Sequence, residues 1–176
     1  MTDSRVQQFD KADMRKLLTG FPQQIEDAVR IGKSARIPYS AAGIRSIVMT
    51  GLGGSAIGAD LLRTYLASDL RVPFIVNRHY TLPGFVDQNT LVVVSSYSGN
   101  TEETIAAHAE ANRRKAKVLC ITSGGETAKI AGRRGQPLIT IPRGYPPRAA
   151  LGYSFFPLLV ALGAMRLIRP RPADIG

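Results

Sequence analysis

The chain has 176 residues, of which 44% are hydrophobic and 20% charged, and this is the size and composition of one globular domain. Its formal net charge of +10 would suit a nucleic-acid binder, but the basic residues are scattered and do not alternate with aromatic ones, so nucleic acid is not expected as the main partner. No apolar run is long enough to cross a bilayer and the N-terminus lacks the apolar segment of a secretory signal, so we expect a cytoplasmic protein.

An N-terminal helical segment is followed by a regular alternation of strands and helices. Between Lys11 and Ile31, apolar residues recur every three or four positions, which predicts helix with a break at Pro22 and an end at Gly32. Short apolar and β-branched runs predict five strands, at 44–51, 73–77, 90–96, 117–123 and 137–142. Helical spacing predicts four further helices, at 55–67, 101–116, 126–135 and 149–168.

This order of elements predicts the fold class. Four of the five strands are continuous apolar runs, which indicates that both faces of their sheet are covered. We therefore expect an α/β protein with a doubly wound five-stranded parallel sheet flanked by helices, in a flavodoxin-like arrangement of three α/β/α layers. The predicted domain at 44–168 is preceded by a helical segment at 1–43 that packs on it, and is followed by a Pro-rich linker or truncated end at 169–176.

The loop after the first strand, GLGGSAIG (51–58), has two interpretations. Gly51, Gly53 and Ala56 match the loose dinucleotide-binding pattern G-x-G-x-x-G/A. That pattern requires an acidic residue at the end of the second strand, where this sequence has Asn77, although Arg78 would suit a 2′-phosphate. A dinucleotide site would also leave the hydroxyl groups that follow the third strand without a role.

The loop after the third strand, SSYSGNTEET (95–104), carries more hydroxyl groups than a helix cap requires. Asn100 with Glu103 three residues later resembles a capping box, which accounts for those two residues alone. Ser96, Ser98 and Thr101 remain, at the start of a helix whose free N–H groups and macrodipole attract an anion.

Together the two loops predict a pocket for a sugar phosphate. Ligands of doubly wound sheets bind at the carboxyl ends of the strands, which is where both loops begin. Gly53 and Gly54 let a ligand approach the backbone closely, and with Ser55 they would hold sugar hydroxyls. The 96–101 loop would bind the phosphate.

Three segments of the sequence resemble the sugar isomerase (SIS) domain: GLGGSAIGADLL, VVVSSYSGNTEET and PRAALGYSFFPLL. They are most similar to the N-terminal half of the bifunctional phosphoglucose/phosphomannose isomerases. The resemblance implies that the chain binds glucose, mannose or fructose 6-phosphate and takes part in aldose–ketose isomerisation through an enediol. The site residues it implies are Gly53, Gly54 and Ser55 for the sugar, Ser96, Ser98 and Thr101 for the 6-phosphate, and Arg148 for the enediolate.

Arg148 also fits this role on physical grounds. A cation after the fifth strand can reach a pocket at the strand ends, and a fixed positive charge beside a developing oxyanion is a large catalytic contribution. The alternative is a surface arginine that caps a loop containing Pro146 and Pro147.

The general base is the part of the mechanism that the sequence does not supply. Proteins of the family that it resembles have two SIS domains, and the catalytic glutamate and a histidine thought to aid ring opening belong to the second. The candidates here are Glu102, Glu103, His79 and His108. Both glutamates lie in the first turn of a helix, where the macrodipole favours the weakly basic ionised form, and His108 is expected to be a packed or surface residue. We therefore expect a chain that is catalytically incomplete without a second domain.

Two other functions remain open: a non-catalytic sugar-phosphate sensor, and a single-domain isomerase that builds its site across a dimer. In every case the very apolar helix at 149–168 predicts a partner, either a second copy or a second SIS domain.

Two single residues complete the analysis. Cys120 is the only cysteine, so an internal disulfide is impossible and no zinc site is suggested, and its place inside the fourth strand predicts a small buried hydrophobe. We expect neither a metal nor an organic cofactor. Tyr97 lies between the loop serines, where it would either pack over a ligand or fill a gap.

Overall fold

The structure is a computed structural model that describes residues 9–11 and 13–169. Two helices, α1 (Met14–Thr19) and α2 (Phe21–Ser34), precede five strands that alternate with helices. These are β1 (Ser46–Thr50), α3 (Gly53–Tyr65), β2 (Phe74–Asn77), β3 (Thr90–Ser95), α4 (Glu102–Arg113), β4 (Lys117–Thr122), α5 (Gly125–Arg134) and β5 (Leu138–Thr140). A short 3-10 helix (Pro147–Ala149) and α6 (Leu151–Ala164) follow.

The predicted order of elements is confirmed, and the bounds differ at the N-terminus. The predicted N-terminal helix is two helices separated at Gly20, and Pro22 lies in the first turn of α2, where its missing N–H costs nothing. Gly32 lies inside α2, although we predicted that it ends the helix. A side chain there would collide with Pro157 and Val160 of α6, so Gly32 permits close helix packing.

All five strands are parallel and lie in the order β2-β1-β3-β4-β5. The chain moves from β1 outward to β2 and then crosses to the other side of β1 to form β3. The order in which successive strands are added therefore reverses between β1 and β3, which is where doubly wound sheets bind their ligands. The predicted doubly wound α/β fold is confirmed.

Two hydrophobic cores cover the two faces of the sheet. Alternate strand residues, such as Ile47 and Met49, face α2, α3 and α6, whereas Val48 faces the side on which α4 and α5 pack. The three central strands, β1, β3 and β4, are buried along nearly all of their length, which explains their continuous apolar sequence. α2 contributes Ala28 to the first of these cores, so this helix packs against the sheet.

The apolar surface of α6 is mostly covered within the chain, so the reason we gave for a partner was wrong. α6 lies between α2 and α3, and eight of its residues are buried, including Tyr153, Leu158 and Leu162. We had expected this helix to have more apolar surface than one sheet face can cover, but α2 and α3 cover much of the remainder. Across residues 9–11 and 13–169, no helix combines the length and apolar character needed to span a membrane.

Candidate functional site

The two loops that the sequence assigns to one pocket leave the same edge of the sheet. Their strands, β1 and β3, are parallel neighbours in which Thr50 pairs with Val94. The loops stay close beyond the strand ends, because a Cβ atom on Gly51 would stand 2.7 Å from the carbonyl oxygen of Ser95. A single small ligand can therefore contact both loops.

The first loop turns directly into α3 and leaves its polar groups available. Gly53 has a positive φ of 51°, which favours glycine, and a Cβ atom there would meet nothing within 4 Å. Ser55 lies in the first turn of α3 and is largely buried. Its hydroxyl makes no hydrogen bond within the described part of the chain, so it is free to bind a ligand.

The second loop places three hydroxyl groups at the N-terminus of α4, in different environments. Ser96 is buried, and its hydroxyl lies 3.0 Å from that of Thr101 and accepts a hydrogen bond from the N–H of Gly99 at 3.1 Å. Ser98 is exposed and accepts from the N–H of Asn100 at 3.2 Å. Thr101 is half-buried and is the N-cap residue of α4. Ser98 and Thr101 are therefore the accessible pair, whereas the hydroxyl of Ser96 shapes the loop.

Gly99 holds the second loop against the loop that follows β4. It has a positive φ of 74°, and a Cβ atom there would overlap the carbonyl oxygen of Gly124. The carbonyl of Gly99 accepts hydrogen bonds from both the N–H and the hydroxyl of Thr127, at 2.9 and 3.1 Å. Because no side chain fits in this contact, the loop at 96–101 requires glycine at this position.

The alternative that Asn100 and Glu103 form a capping box is wrong. The N-cap residue of α4 is Thr101, and α4 has no side-chain capping bond. The side-chain oxygen of Asn100 instead accepts from the N–H of Glu126 at 3.0 Å, so it caps the next helix, α5.

Arg148 joins the same edge from the C-terminal side. It lies in the 3-10 helix, and a Cβ atom on Gly54 would stand 2.7 Å from the carbonyl oxygen of Pro147 and 3.8 Å from the N atom of Arg148. The Arg148 side chain is exposed and has no ion-pair partner among the residues that the structure describes. Three segments, 51–55, 95–101 and 147–148, thus meet at one edge.

Two residues that contact these segments were not assigned by sequence reasoning. The ring of Tyr97 packs against the first core, which agrees with the gap-filling role that the sequence left open. Its hydroxyl also bonds to the segment at 142–145, and this contact was not predicted. Gln24 of α2 is buried against the backbone at 149–152. No sequence pattern marks either contact, because each joins residues that are distant along the chain.

The four candidates for the base have different environments. His108 is fully buried between α4 and β4, so it is a packed residue. His79 is exposed in the loop after β2. Glu102 and Glu103 lie in the first turn of α4 beside Tyr80, whose hydroxyl is 3.5 Å from Glu102. The charge of Glu103, followed by desolvation and the charge of Glu102, raises the pKa of the Tyr80 hydroxyl.

The dinucleotide alternative finds no support around β2. The side chain of Asn77 is buried and donates to the carbonyl of His79 at 3.0 Å, so it is not available for a ribose. Arg78, which would have to hold a 2′-phosphate, forms an ion pair with Asp60 of α3.

Cys120 is fully buried in β4, as predicted, and burial raises the pKa of its thiol to about 12. No cluster of three or more His, Cys, Asp or Glu side chains that could hold a metal ion occurs among the described residues.

Comparison with known proteins identifies similar chains. A family model for the SIS domain matches residues 42–141. The bifunctional phosphoglucose/phosphomannose isomerase of Caldicellulosiruptor bescii is 50% identical over 149 residues, which are 85% of this chain and 44% of that protein. The D-glucosamine-6-phosphate 4-epimerase of Sulfolobus acidocaldarius is 40% identical over 110 residues, 62% of this chain and 34% of its own.

A solved structure supports the fold independently. The C-terminal domain of glucosamine-fructose-6-phosphate aminotransferase from Francisella tularensis superposes with a TM-score of 0.71 at 14% identity, over 92% of this chain and 50% of that chain. At this identity the likeness concerns the fold alone. The chain also spans less than half the length of the two curated relatives.

Proposed function

Because the chain belongs to the SIS domain family, we propose that it is the sugar-phosphate-binding domain of a glucose-6-phosphate/mannose-6-phosphate isomerase. One observation carries this proposal: two hydroxyl-bearing loops and an unpaired arginine meet where β1 and β3 end. The name and the high identity of the Caldicellulosiruptor relative support the choice of hexose 6-phosphates among phosphorylated ligands.

In this proposal each segment has its own task. Ser98 and Thr101 bind the 6-phosphate with the free N–H groups at the start of α4, and Ser96 holds their loop in shape. Gly53, Gly54 and Ser55 contact the sugar hydroxyls. Helix α2 forms part of the same domain as the sheet, because it supports the segment that carries Arg148.

The chemistry that this domain contributes is electrostatic. Isomerisation moves a proton between C1 and C2 of the open-chain sugar and leaves negative charge on the enediolate oxygens. Arg148, placed beside Gly54, would stabilise that charge without itself exchanging a proton. The base that removes the C2 proton would come from a second domain or subunit, since Glu102 and Glu103 occupy the phosphate end of the site.

Calorimetric titration with fructose 6-phosphate tests the proposal. The wild-type chain should bind, and Ser98→Ala combined with Thr101→Ala should abolish detectable binding, because the only accessible hydroxyls at the start of the phosphate-binding helix are removed. Ser34→Ala combined with Thr64→Ala is the matched control, since both hydroxyls serve only local helix carbonyls. Unchanged affinity in the first double variant would refute the pocket. Tighter binding of glucosamine 6-phosphate than of glucose 6-phosphate would instead favour an amino-sugar substrate.

A second arm of this experiment uses the same protein in D₂O. Proton NMR of glucose 6-phosphate should show no loss of the C2 proton signal with the isolated chain, because the base is outside it. Loss of the signal at an enzyme-like rate would mean that the chain carries its own base or gains one by association.

The proposed partner surface lies on α3 and replaces the surface that we had expected on α6. Ile57, Leu61 and Tyr65 are 52%, 46% and 38% exposed and lie four residues apart, so they form one apolar stripe on the helix. Tyr65 extends the stripe to Phe155 of α6, with ring centroids 5.8 Å apart. The stripe begins two residues after Ser55, next to the sugar loop. A second copy of the chain seated there could bring a further side chain to the site.

A further inference from the structure

The segment that carries Arg148, residues 142–152, is held at both ends by side chains from outside it. At its start, the hydroxyl of Tyr97 donates to the carbonyl of Pro142 at 2.9 Å and accepts from the N–H of Tyr145 at 2.8 Å. At its end, the side-chain amide of Gln24 donates to the carbonyl of Ala149 at 2.8 Å and accepts from the N–H of Gly152 at 2.8 Å. Each anchor thus uses one group as donor and acceptor at once.

The anchor at Gln24 is built into the core. Gln24 is 2% exposed, and its amide has both of its polar atoms matched to backbone groups. A Cβ atom on Gly152 would stand 2.6 Å from the side-chain oxygen of Gln24, so the glycine is what allows the amide to reach the backbone. A buried amide with both groups satisfied in this way fixes the position of what it binds.

The anchor at Tyr97 joins the two functional segments to each other. Tyr97 lies between Ser96 and Ser98 of the phosphate loop, and its hydroxyl bonds to the start of the segment that carries Arg148. Its own carbonyl is fixed by the N–H and the hydroxyl of Ser123, at 3.1 and 2.7 Å. A shift of the phosphate loop would therefore be transmitted to the start of the segment that carries Arg148.

Between the anchors the chain has little freedom. Pro146 and Pro147 restrict the backbone that leads to Arg148, and Pro147 already contacts Gly54. With Tyr145 and Ala149 held on either side, the Cα atom of Arg148 has a fixed place relative to both loops. A fixed charge stabilises an oxyanion only when it is already in position, so such anchoring bears directly on catalysis.

We propose that Tyr97 and Gln24 are positioning residues for Arg148, and that Tyr97 couples the phosphate loop to the arginine. The inference rests on the function proposed above, because it assumes that Arg148 faces an enediolate. It assigns no contact with the substrate to either residue.

The test compares two ligands whose binding depends on Arg148 to different extents. Fructose 6-phosphate engages mainly the phosphate and sugar loops, whereas the 5-phosphate of the five-carbon aldonic acid places a carboxylate where the enediolate forms. Calorimetry gives the ratio of the two dissociation constants. Arg148→Ala should remove the preference for the carboxylate ligand, and Tyr97→Phe and Gln24→Met should each reduce it about tenfold, since a misplacement of about 1 Å has effects of that order or larger.

Matched controls are available at the opposite edge of the sheet. Tyr39 is half-buried and donates to the carbonyl of Val118, near the start of β4, so Tyr39→Phe removes an equivalent hydrogen bond there. Gln136 bonds to His108 and Asn112, so Gln136→Met removes an equivalent internal amide. Both controls should leave the ligand preference unchanged and should retain the fructose 6-phosphate affinity within about twofold.

A second measurement does not depend on ligands. Amide hydrogen exchange by NMR should accelerate at Tyr145 in Tyr97→Phe and at Gly152 in Gln24→Met, because these N–H groups lose their acceptors. Wild-type ligand preference and wild-type exchange in both variants would overturn the inference. A wild-type chain that binds neither ligand would refute the proposed function instead, and exchange that is faster without a change in preference would show that the anchors do not position Arg148.

Discussion

His108 is a histidine enclosed in a small polar network on the α4 side of the sheet. Its Nε2 atom lies 2.8 Å from the side-chain oxygen of Gln136 and 3.8 Å from the sulfur of Cys120, and its Nδ1 atom has no partner among the residues described. Burial lowers the pKa of His108 below its ordinary value of 6.5, the bond with Gln136 opposes this shift, and the charge of Arg134 adds to it.

The lowered pKa of His108 predicts a loss of stability in mild acid. The unfolded chain binds a proton as the pH falls below about 6.5, whereas the folded chain resists it until its own lower pKa is reached. The contribution of His108 to the free energy of unfolding should therefore be constant above pH 6.5. As the pH falls below 6.5, this contribution should decrease by up to about 1.4 kcal/mol for each pH unit. Urea unfolding between pH 5 and pH 7.5 measures this slope.

His108→Gln should remove the slope between pH 5 and 6.5 whatever it does to the stability itself. His79→Gln is the control, because His79 is exposed and is the only other histidine. A slope that survives in His108→Gln would show that another group is responsible. The carboxylates with lowered pKa values, at Asp10, Asp87 and Glu110, take up their protons at lower pH than this window.

Between elements, the contact of Asn100 with α5 is a helix cap supplied by a different part of the chain. α5 begins after Gly124, which has no side chain to cap it, and the side-chain oxygen of Asn100 fills that role at the N–H of Glu126. Asn100→Ala should therefore lower the free energy of unfolding by about 1 kcal/mol and accelerate amide exchange at Glu126.

Glu103→Ala separates this cap from the capping box that the sequence suggested. In a capping box Glu103 would bond back to the start of α4, and its loss would cost about as much as the loss of Asn100. In the structure Glu103 makes no capping bond, so Glu103→Ala should lower the free energy of unfolding less than Asn100→Ala does and should leave the exchange of the Glu126 amide unchanged. An equal loss of stability in both variants would contradict the assignment.

This element also shows what could and could not be predicted from the sequence. The strands, their order of alternation and the two hydroxyl-bearing loops follow from local patterns, because burial on both faces and helix N-termini leave marks in consecutive residues. The partner of Asn100 does not follow from a local pattern, because Glu126 lies 26 positions away and a capping box involves residues only three positions apart. The contacts of Tyr97 and Gln24 could not be predicted for the same reason, since their partners are backbone groups, which leave no mark on the sequence.

For the whole molecule, the distribution of apolar surface decides where a partner would bind. Composition alone suggested α6, because it is the most apolar helix, but α2 and α3 cover it. The stripe of Ile57, Leu61 and Tyr65 stays exposed on a helix of otherwise ordinary composition. The apolar content of one segment does not show which distant elements will pack over it. This is why the exposed surface was expected on the wrong helix.

A second copy of the chain fits this stripe, because one helix face can pack against itself about a twofold axis. We expect the purified chain to dimerise, and Leu61→Glu to weaken the dimer by more than about tenfold, since a carboxylate buried in the interface would have no partner. Sedimentation equilibrium over a range of protein concentrations measures the dissociation constant. Leu18→Glu is the matched control, because Leu18 is 65% exposed and lies on a different helix, α1. A monomeric wild type would rule out the second copy as occupant, and equal weakening by both substitutions would place the interface elsewhere.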